Sequence, residues 1–214
     1  MNNRLLKKLF KIWRKPYQSE TSKVRHLVNS YCIGKGCDIG FGGDKIIKEN
    51  CDGIDYAKPY AYTGKDKVDI ACDLSKEKIP VDDNTYDYVY SSHLIEDFPD
   101  IKSLLIEFIR ILKSSGNLIL VFPDQAVYAA HCIKTGQPLN PQHVHANMGL
   151  KLMTDYLKEI ESIRAEHLFS SDRKIDYNVV MVYKIYKNNP ERKVPEIFKI
   201  KNQIIDRVLK YKKD

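Results

Sequence analysis

Residues 37–44, Cys-Asp-Ile-Gly-Phe-Gly-Gly-Asp, decide the fold. They close a predicted strand over residues 34–40 with an acidic residue and a run of glycines. Glycine after a strand permits a tight turn and lets a ligand lie directly against the backbone. A dinucleotide-binding turn needs the spacing GxGxxG, but counting from Gly40 its last position holds Lys45. The turn therefore predicts a ligand site that does not fit a nicotinamide cofactor.

Downstream of this turn, predicted strands alternate with predicted helices. Further strands are expected over residues 51–57, 68–72, 86–91 and 117–122. Before the last of these, one helical stripe is formed by Ile101, Leu104, Leu105, Phe108 and Leu112. Lys113 is expected in the last turn of that helix and Gly116 just past its end.

The remainder of the middle predicts one more helix and a hairpin. Residues 146–158 have a helical pattern, and residues 161–168 and 177–186 are expected to pair as antiparallel strands. Together the elements predict an α/β fold, a Rossmann-like, doubly wound, mostly parallel seven-stranded sheet with an antiparallel closing hairpin. In such a sheet the site lies at the carboxyl ends of the strands.

The charges divide the chain into three parts. The net charge of the 214 residues is +7, but residues 1–15 hold six basic side chains and no acidic one, and residues 187–214 hold nine basic and four acidic. The residues between are therefore net negative, so the basic pI describes the ends of the chain. We predict a basic amphipathic helix over residues 1–16, a domain over residues 17–186 and a basic helical tail over residues 187–214.

The predicted amino-terminal helix has a pattern typical of helices that lie on a membrane surface. Its apolar face consists of Leu5, Leu6, Leu9, Phe10, Ile12 and Trp13, opposite six basic residues. Such a helix suits an anionic membrane surface, although packing on its own domain or on a second copy in a homodimer fits the same pattern. No apolar run approaches the roughly 20 residues of a spanning helix, and the five cysteines form no CxxC pair. We therefore expect a cytoplasmic protein that this helix could attach to the cytoplasmic face of a membrane.

Polar side chains follow each of the first four predicted strands. Asp38 precedes the glycine turn and Asp55 ends the second strand. Asp73-Leu74 follows the third strand, and Ser91-Ser92-His93-Leu94 follows the fourth. Because parallel strands bring their carboxyl ends to one edge of a sheet, these groups are expected to meet there.

This pattern resembles the class I S-adenosylmethionine-dependent methyltransferases, and among them the type 11 methyltransferases with an aspartate-x-glycine-x-glycine-glycine turn. The resemblance covers about residues 30–185 and includes YDYVYSSHLIED at residues 86–97 and LKSSGNLILVFPD at residues 112–124. Ser114-Ser115-Gly116 replaces part of the family's leucine-lysine-proline-glycine-glycine, and Asp44 replaces the final glycine of its longer motif. We expect Asp44 to cap a helix.

The resemblance implies an enzyme that binds S-adenosylmethionine, whose ribose diol and cationic groups suit acidic residues at strand ends. Asp38, Gly40, Phe41 and Gly42 would line the methionine and ribose side. Asp55, with Tyr56 beside it, would accept the ribose hydroxyls. Asp73 and Leu74 would meet the adenine, and Ser91 would lie near the sulfonium. A solvated turn or a helix cap is the alternative role for Asp55 and Asp73.

The acceptor side is expected beyond the fourth and fifth strands. Residues 123–145 form a long stretch with three prolines and three histidines, which predicts a lid or binding loop. Methylation of a hydroxyl requires removal of its proton, and histidine suits this task near neutral pH. His93, His143 and His145 are therefore the candidate catalytic residues, with a structural role as the alternative for each.

The same part of the chain also holds residue types that can bind a metal ion. His143 and His145 would point the same way on an extended backbone, and Glu96, Asp97 or Asp124 could complete a ligand set. Nothing in the sequence fixes that third ligand. We predict no metal.

The predicted function is methyl transfer from S-adenosylmethionine to a small-molecule or saccharide acceptor, with oxygen as the expected methylated atom. The stretch after the fifth strand is similar to that of methyltransferases in surface-polysaccharide pathways. A nucleic-acid methyltransferase is one alternative, but residues 91–94 lack the proline-proline-aromatic motif that enzymes acting on base amino groups usually carry. A non-catalytic module that binds an S-adenosyl ligand is the other alternative.

Overall fold

The computed structural model describes residues 18–59 and 64–188, and residues 172–174 by their backbone alone. The predicted amino-terminal helix and residues 189–214 of the predicted tail lie outside the described residues. The division of the chain into three parts therefore stays a prediction. Within the described residues, no helix combines the length and apolar character that crossing a membrane requires.

Seven strands make one sheet. They are β1 (Gly36–Ile39), β2 (Cys51–Asp55), β3 (Ile70–Ala71), β4 (Tyr86–Ser92), β5 (Leu112–Pro123), β6 (Ile163–Ile175) and β7 (Asn178–Lys187). Their order across the sheet is β3-β2-β1-β4-β5-β7-β6. The first five strands run parallel, and β7 lies antiparallel between β5 and β6. The predicted mostly parallel sheet with its closing hairpin is confirmed.

The described helices are α1 (Glu20–Val28), α2 (Ile101–Ile111), α3 (Gln125–Thr135) and α4 (Leu150–Lys158), with single 3-10 turns at Asn29–Tyr31 and Ile95–Asp97. Helix α1 begins after Ser19, whose hydroxyl accepts the backbone N–H of Ser22 at 2.9 Å. Helix α2 begins after Asp100, whose carboxylate accepts the N–H of Ser103 at 3.0 Å.

Both faces of the sheet are buried. On one face, Leu105 and Phe108 of α2 pack with Val89 of β4, and α4 contributes to the same core. On the other face, Val24 of α1 packs with Tyr88. Successive residues of a strand point to opposite faces, so a strand covered on both sides reads as one continuous apolar run.

The exit from α2 differs from the prediction. The helix ends at Ile111, and Leu112 and Lys113 already belong to β5, where the Lys113 ammonium bonds to Asp87 Oδ1 at 2.8 Å. Gly116 also lies within β5 and is no helix cap. A Cβ at that position would lie 2.7 Å from Leu112 Cδ1 and 2.9 Å from the Asp87 carbonyl oxygen. The glycine is therefore required by a close approach of strands β4 and β5.

The link between β1 and β2 contains no helix, so the expectation that Asp44 caps one is wrong. The carboxylate of Asp44 instead binds the guanidinium of Arg25 at 2.8 Å and the hydroxyl of Ser19. Arg25 also donates to the carbonyl oxygens of Lys45 and Ile46, at 3.0 and 3.1 Å. Side-chain bonds from α1 thus hold the 11 residues between the two strands, 40–50, where a helix usually spans a parallel connection.

The segment predicted as a lid contains α3, which the sequence interpretation missed. Asp124 caps the helix by accepting the N–H of Val127 at 3.1 Å, and Gly136 ends it in the left-handed conformation with φ of 70°. Only Cys132 of its 11 residues is buried. Because so little of α3 packs on the core, its sequence lacks the apolar stripe by which helices are recognised.

Candidate functional site

A cavity lies at the carboxyl edge of the first four strands. Its described lining is Gly40, Asp55, Tyr56, Cys72, Leu74, Ser75, Leu94, Asp97, Phe98, Pro99 and Gln142. Most of these residues directly follow a strand, as the topology requires of a site in an open parallel sheet. The predicted cofactor residues that reach the lining are Gly40, Asp55, Tyr56 and Leu74.

Gly40 forms the floor of the cavity, and its position requires glycine. Its φ is +71°, and a Cβ there would lie 2.9 Å from Leu94 Cδ1. Its N–H donates to the carbonyl oxygen of Ile54 at 2.8 Å, which ties the turn to β2. Any larger residue would strain the backbone and push Leu94 from the cavity wall.

Asp55 presents a carboxylate at the edge of the cavity. Its Oδ2 accepts the N–H of Gly42 at 3.1 Å, and its Oδ1 accepts the N–H of Tyr56 at 2.7 Å. Burial raises the pKa of Asp55, against these two backbone hydrogen bonds. Each carboxylate oxygen has a further lone pair, so the group can still accept the two hydroxyls of a ribose diol.

Asp38 and Phe41 build the glycine turn from beneath and do not reach the cavity lining. Asp38 is fully buried, and its Oδ2 accepts the N–H of Ile46 at 2.7 Å, while its Oδ1 has no partner among the described residues. Burial raises the pKa of Asp38 well above its ordinary value. Phe41 is buried as well and packs over Gly53, where a Cβ would lie 2.8 Å from the ring.

Asp73 and Ser91 also serve local structure. Asp73 accepts from the ammonium of Lys76 at 2.7 Å and from the hydroxyl and N–H of Ser75, and these bonds lower its pKa to about 2. Ser91 is buried and donates its hydroxyl to the carbonyl oxygen of Ile39 at 3.0 Å. Asp73 therefore closes a turn, and Ser91 joins β4 to β1.

A second group of polar side chains, the polar cluster, consists of Glu20, His93, Glu96, His143 and Asn178. His93 follows β4 with a φ of +52°. Its Nε2 lies 2.7 Å from Asn178 Oδ1, and its Nδ1 lies 3.2 Å from Glu96 Oε1. Asn178 in turn donates its amide to Glu20 Oε2 at 2.9 Å. One chain of polar contacts thus connects Glu96 to Glu20 through His93.

The contacts of His93 favour its protonated form. Both ring nitrogens face oxygen acceptors, which only the imidazolium can satisfy. Burial alone would lower the pKa of His93, but the hydrogen bond and charge of Glu96, with the charge of Glu20, raise it. Burial likewise acts to raise the pKa of Glu20, and the charge of His93 and the Asn178 amide outweigh it, so this pKa is lowered.

His143 has the opposite electrostatic setting. Its Nδ1 lies 3.0 Å from Gln125 Oε1, so Nδ1 carries the donated proton. Its Nε2 lies 3.8 Å from Glu96 Oε1, beyond hydrogen-bond distance. Burial lowers the pKa of His143, and the neighbouring charge of His93 lowers it further against the attraction of Glu96. The ring is therefore neutral at physiological pH, with a lone pair on Nε2.

His145 is not part of the polar cluster. Its Nε2 donates to the carbonyl oxygen of Phe98 at 2.7 Å. The two lid histidines thus bind different partners, and the extended arrangement considered for a metal is absent from this described segment. Nowhere in residues 18–59 and 64–188 do three His, Cys, Asp or Glu side chains form a group that could hold a metal ion.

Several residues of the site were not identified from the sequence. Glu20 and Asn178 reach the polar cluster from α1 and β7, and no pattern linked these distant positions. The aromatic rings of Tyr128 and Tyr177 pack beside His143 and His93, at centroid distances of 4.8 and 6.0 Å. The cavity residues after β4 could have been inferred, because residues 94–99 follow a strand that ends at the site.

The cavity chemistry fits S-adenosylmethionine. The described lining includes the carboxylates of Asp55 and Asp97 and no lysine, arginine or histidine, which suits a cationic ligand without phosphate. Tyr56 and Leu74 offer apolar surface for a base, and Gly40 lets a ligand approach the backbone. Asp55 would hold the ribose hydroxyls.

The sequence is similar to known methyltransferases, as the chemistry of the cavity indicates. The methyltransferase domain family matches residues 37–120. Two curated relatives, demethylmenaquinone methyltransferases of two Staphylococcus epidermidis strains, are each 25% identical over 148 residues, which cover 66% of this chain and 56% of the relative. The chain therefore spans little more than half the length of these relatives.

Solved structures share the fold. One is a SAM-dependent methyltransferase from Archaeoglobus fulgidus, with 15% identity, a TM-score of 0.55 and coverage of 82% of this chain and 99% of that chain. Another is an S-adenosylmethionine-dependent methyltransferase from Mesorhizobium loti, with 11% identity, a TM-score of 0.55 and coverage of 78% and 98%. At these identities the likeness is one of fold, and it confirms the predicted Rossmann-like architecture.

Proposed function

We propose that this chain, which matches the methyltransferase domain family over residues 37–120 and shares the fold of solved S-adenosylmethionine-dependent methyltransferases, methylates a hydroxyl oxygen of a small molecule or saccharide. S-adenosylmethionine is the cofactor of such a domain, and when bound it supplies a methyl group activated by the sulfonium. The protein must then position the acceptor and remove its hydroxyl proton.

The neutral, oriented ring of His143 is the observation that supports oxygen as the methylated atom. Gln125 fixes the proton on Nδ1, and the lone pair of Nε2 can accept a hydroxyl proton. His93 is less suited to this role because both of its ring nitrogens already face acceptors. His145 has its Nε2 engaged by Phe98. We therefore assign His143 as the general base, His93 as a positioning residue and His145 to the lid structure.

Methylation of demethylmenaquinone, the compound in the names of the two curated relatives, is a second candidate. It is favoured by one observation, the 25% identity to demethylmenaquinone methyltransferases, and the chain spans only 56% of their length. A nucleic-acid acceptor is less suited to the cavity, because its described lining offers no lysine or arginine for phosphates.

Variants of the two lid histidines test the proposal. Methyl transfer from labelled S-adenosylmethionine to hydroxyl acceptors should place the label on oxygen, as read by mass spectrometry of the product. His143→Gln should lower kcat by about 10² or more, because proton removal by a positioned base contributes about that much. His145→Gln is the matched control and should change kcat by less than about threefold. Label on a ring carbon, or equal kcat losses in the two variants, would refute oxygen methylation by His143.

Surface attachment is a separate proposal that rests on the sequence of residues 1–16. Their apolar face and six basic residues suit vesicles that contain anionic lipid. Binding of the intact protein should weaken with salt and blue-shift the fluorescence of Trp13, the chain's single tryptophan. Unchanged binding after deletion of residues 1–15 would assign the segment to packing or to a homodimer.

A further inference from the structure

We propose that the acceptor carries two neighbouring hydroxyl groups, one bound by His143 Nε2 and the other by the second carboxylate oxygen of Glu96. The proposal rests on the proposed function and narrows it to vicinal diols, as found in saccharides and catechol-type rings. It also requires that the acceptor carry no charge next to the diol.

Glu96 provides the first part of the argument. Its side chain is only 1% exposed, although it carries a carboxylate. Oε1 lies between the two histidines, 3.2 Å from His93 Nδ1 and 3.8 Å from His143 Nε2. Oε2 is buried and has no hydrogen-bond partner among the described residues. A buried carboxylate oxygen without a partner is costly, so it points to a donor that the bound ligand brings.

The two groups available to a ligand are both acceptors. His143 Nε2 offers a lone pair, because the proton of the ring sits on Nδ1. Glu96 Oε2 belongs to the carboxylate whose other oxygen is nearest to that nitrogen. The two oxygens of Glu96 share one carbon, so Oε2 also lies near His143 Nε2, and a ligand that satisfies both acceptors needs two donors close together. Two vicinal hydroxyls supply such a pair.

The surrounding charges argue against an ionic acceptor. A carboxylate or phosphate would meet the buried charge of Glu96 and the partly buried charge of Glu20, and the imidazolium of His93 already has both nitrogens engaged. An ammonium would have to share Glu96 with the protonated His93 beside it. An uncharged pair of hydroxyls avoids both conflicts.

Glu96 and His143 lie next to the cofactor cavity in the chain. Glu96 and His143 are the sequence neighbours of Asp97 and Gln142, which line that cavity. Residues 136–139 and 141–142, which lead to His143, are exposed, and α3 before them buries only Cys132. A small displacement of α3 and residues 136–142 would admit an acceptor without disturbing the core on either face of the sheet.

Catechol, phenol and salicylate are matched probes for the proposal, because they differ only in the group beside one hydroxyl. The compounds cis-cyclohexane-1,2-diol and cyclohexanol repeat the comparison on a saturated ring, which is the setting of a saccharide diol. Formation of S-adenosylhomocysteine by the intact protein gives kcat and KM for each probe. We expect KM for the diols to be about ten- to a hundredfold below that for the single-hydroxyl probes, as a hydrogen bond to a charged group would give. We expect no transfer to salicylate.

Two variants separate a direct contact of Glu96 from its support of His93. Glu96→Gln should raise KM for catechol by about tenfold or more and leave KM for phenol nearly unchanged. His93→Asn removes the same ion pair but keeps the carboxylate, so it should preserve the ratio of the two KM values. A ratio that Glu96→Gln leaves unchanged, or that His93→Asn abolishes equally, would overturn the proposal.

The remaining outcomes distinguish this proposal from the proposed function. If calorimetry shows that S-adenosylhomocysteine binds but neither catechol nor cis-cyclohexane-1,2-diol is methylated, the diol site is wrong and the cofactor assignment stands. Salicylate methylated as fast as catechol would have the same meaning. If the intact protein binds no S-adenosylhomocysteine, the proposed function itself fails.

Discussion

The cofactor cavity and the polar cluster share the segment after β4 but are held together in different ways. Leu94, Asp97 and Phe98 face the cavity, whereas His93 and Glu96 belong to the cluster. The cavity is shaped by backbone turns that each follow a strand, so the sheet topology assembles it. The cluster joins α1, the end of β4, the lid and β7 through charges that depend on one another. Substitutions in the cavity should therefore act locally, and those in the cluster should act through protonation.

The largest expected effect tests the local character of the cavity. Asp55→Ala should weaken binding of S-adenosylhomocysteine by one to two orders of magnitude, since a charge-assisted hydrogen bond is worth about 1.5–3 kcal/mol. Asp73→Ala is the matched control, because Asp73 does not line the cavity and its carboxylate is engaged by Ser75 and Lys76. Calorimetry should show less than a threefold change for it. Equal losses in the two variants would mean that both acids hold the cofactor.

The second prediction tests the coupling in the cluster through pH. The contacts that raise the pKa of His93 stabilise the folded state. Their contribution is complete below pH 6.5, the ordinary pKa of histidine, and is lost as pH rises through the higher pKa of the folded protein. The contacts that lower the pKa of Glu20 stabilise the folded state above pH 4.5, the ordinary pKa of glutamate. This stabilisation is lost as pH falls through the lower pKa of Glu20 in the folded protein. His93→Asn should therefore cost about 1–2 kcal/mol of unfolding free energy between about pH 5 and 6.

Denaturant unfolding over a range of pH measures this difference. Asparagine tolerates the positive φ of residue 93, so backbone strain stays nearly constant in the comparison. The gap between the two proteins should shrink above pH 7. A gap that is independent of pH would show that His93 contributes by packing and that the cluster is no more coupled than the cavity.

The smallest expected effect concerns Asp38, the buried acid beneath the glycine turn. In the unfolded chain Asp38 ionises above pH 3.8, its ordinary pKa. Burial raises this pKa in the folded state, so ionisation of Asp38 destabilises the fold above pH 3.8. Asp38→Asn keeps an oxygen for the N–H of Ile46 and should raise the unfolding free energy at pH 7 by about 1 kcal/mol. The gain should vanish below pH 3.8. A large loss of cofactor affinity in this variant would show that Asp38 contacts the cofactor.

The sequence allowed the cavity to be predicted better than the cluster, for a physical reason. Gly40 and Asp55 follow strands whose apolar runs are visible in the chain, and parallel topology brings such positions together. Glu20 and Asn178 are 158 residues apart and meet only through the packing of α1 against the start of β7. The opposite pKa shifts of His93 and His143 depend on burial and on one shared carboxylate, which no local pattern encodes.

Predicted roles failed where local chemistry allowed two structures. Asp44 next to glycines is typical of a helix cap, but Arg25 binds it from α1 and no helix forms. Gly116 after a helical stripe is typical of a helix end, but the crowding of β4 and β5 requires it. In both cases one of the deciding contacts, with Arg25 for Asp44 and with Asp87 for Gly116, comes from a residue distant in sequence.

The ion-paired link between β1 and β2 makes the order of the cofactor turn dependent on dissolved ions. Lys45 bonds to the carboxylate of Asp69, and Lys48 bonds to those of Asp44 and Asp66. These pairs lie partly in solvent, where dissolved salt weakens ion pairs, so concentrated salt should loosen a turn that a helix would have kept rigid. Cofactor affinity should then fall with salt concentration even though no described cation lines the cavity.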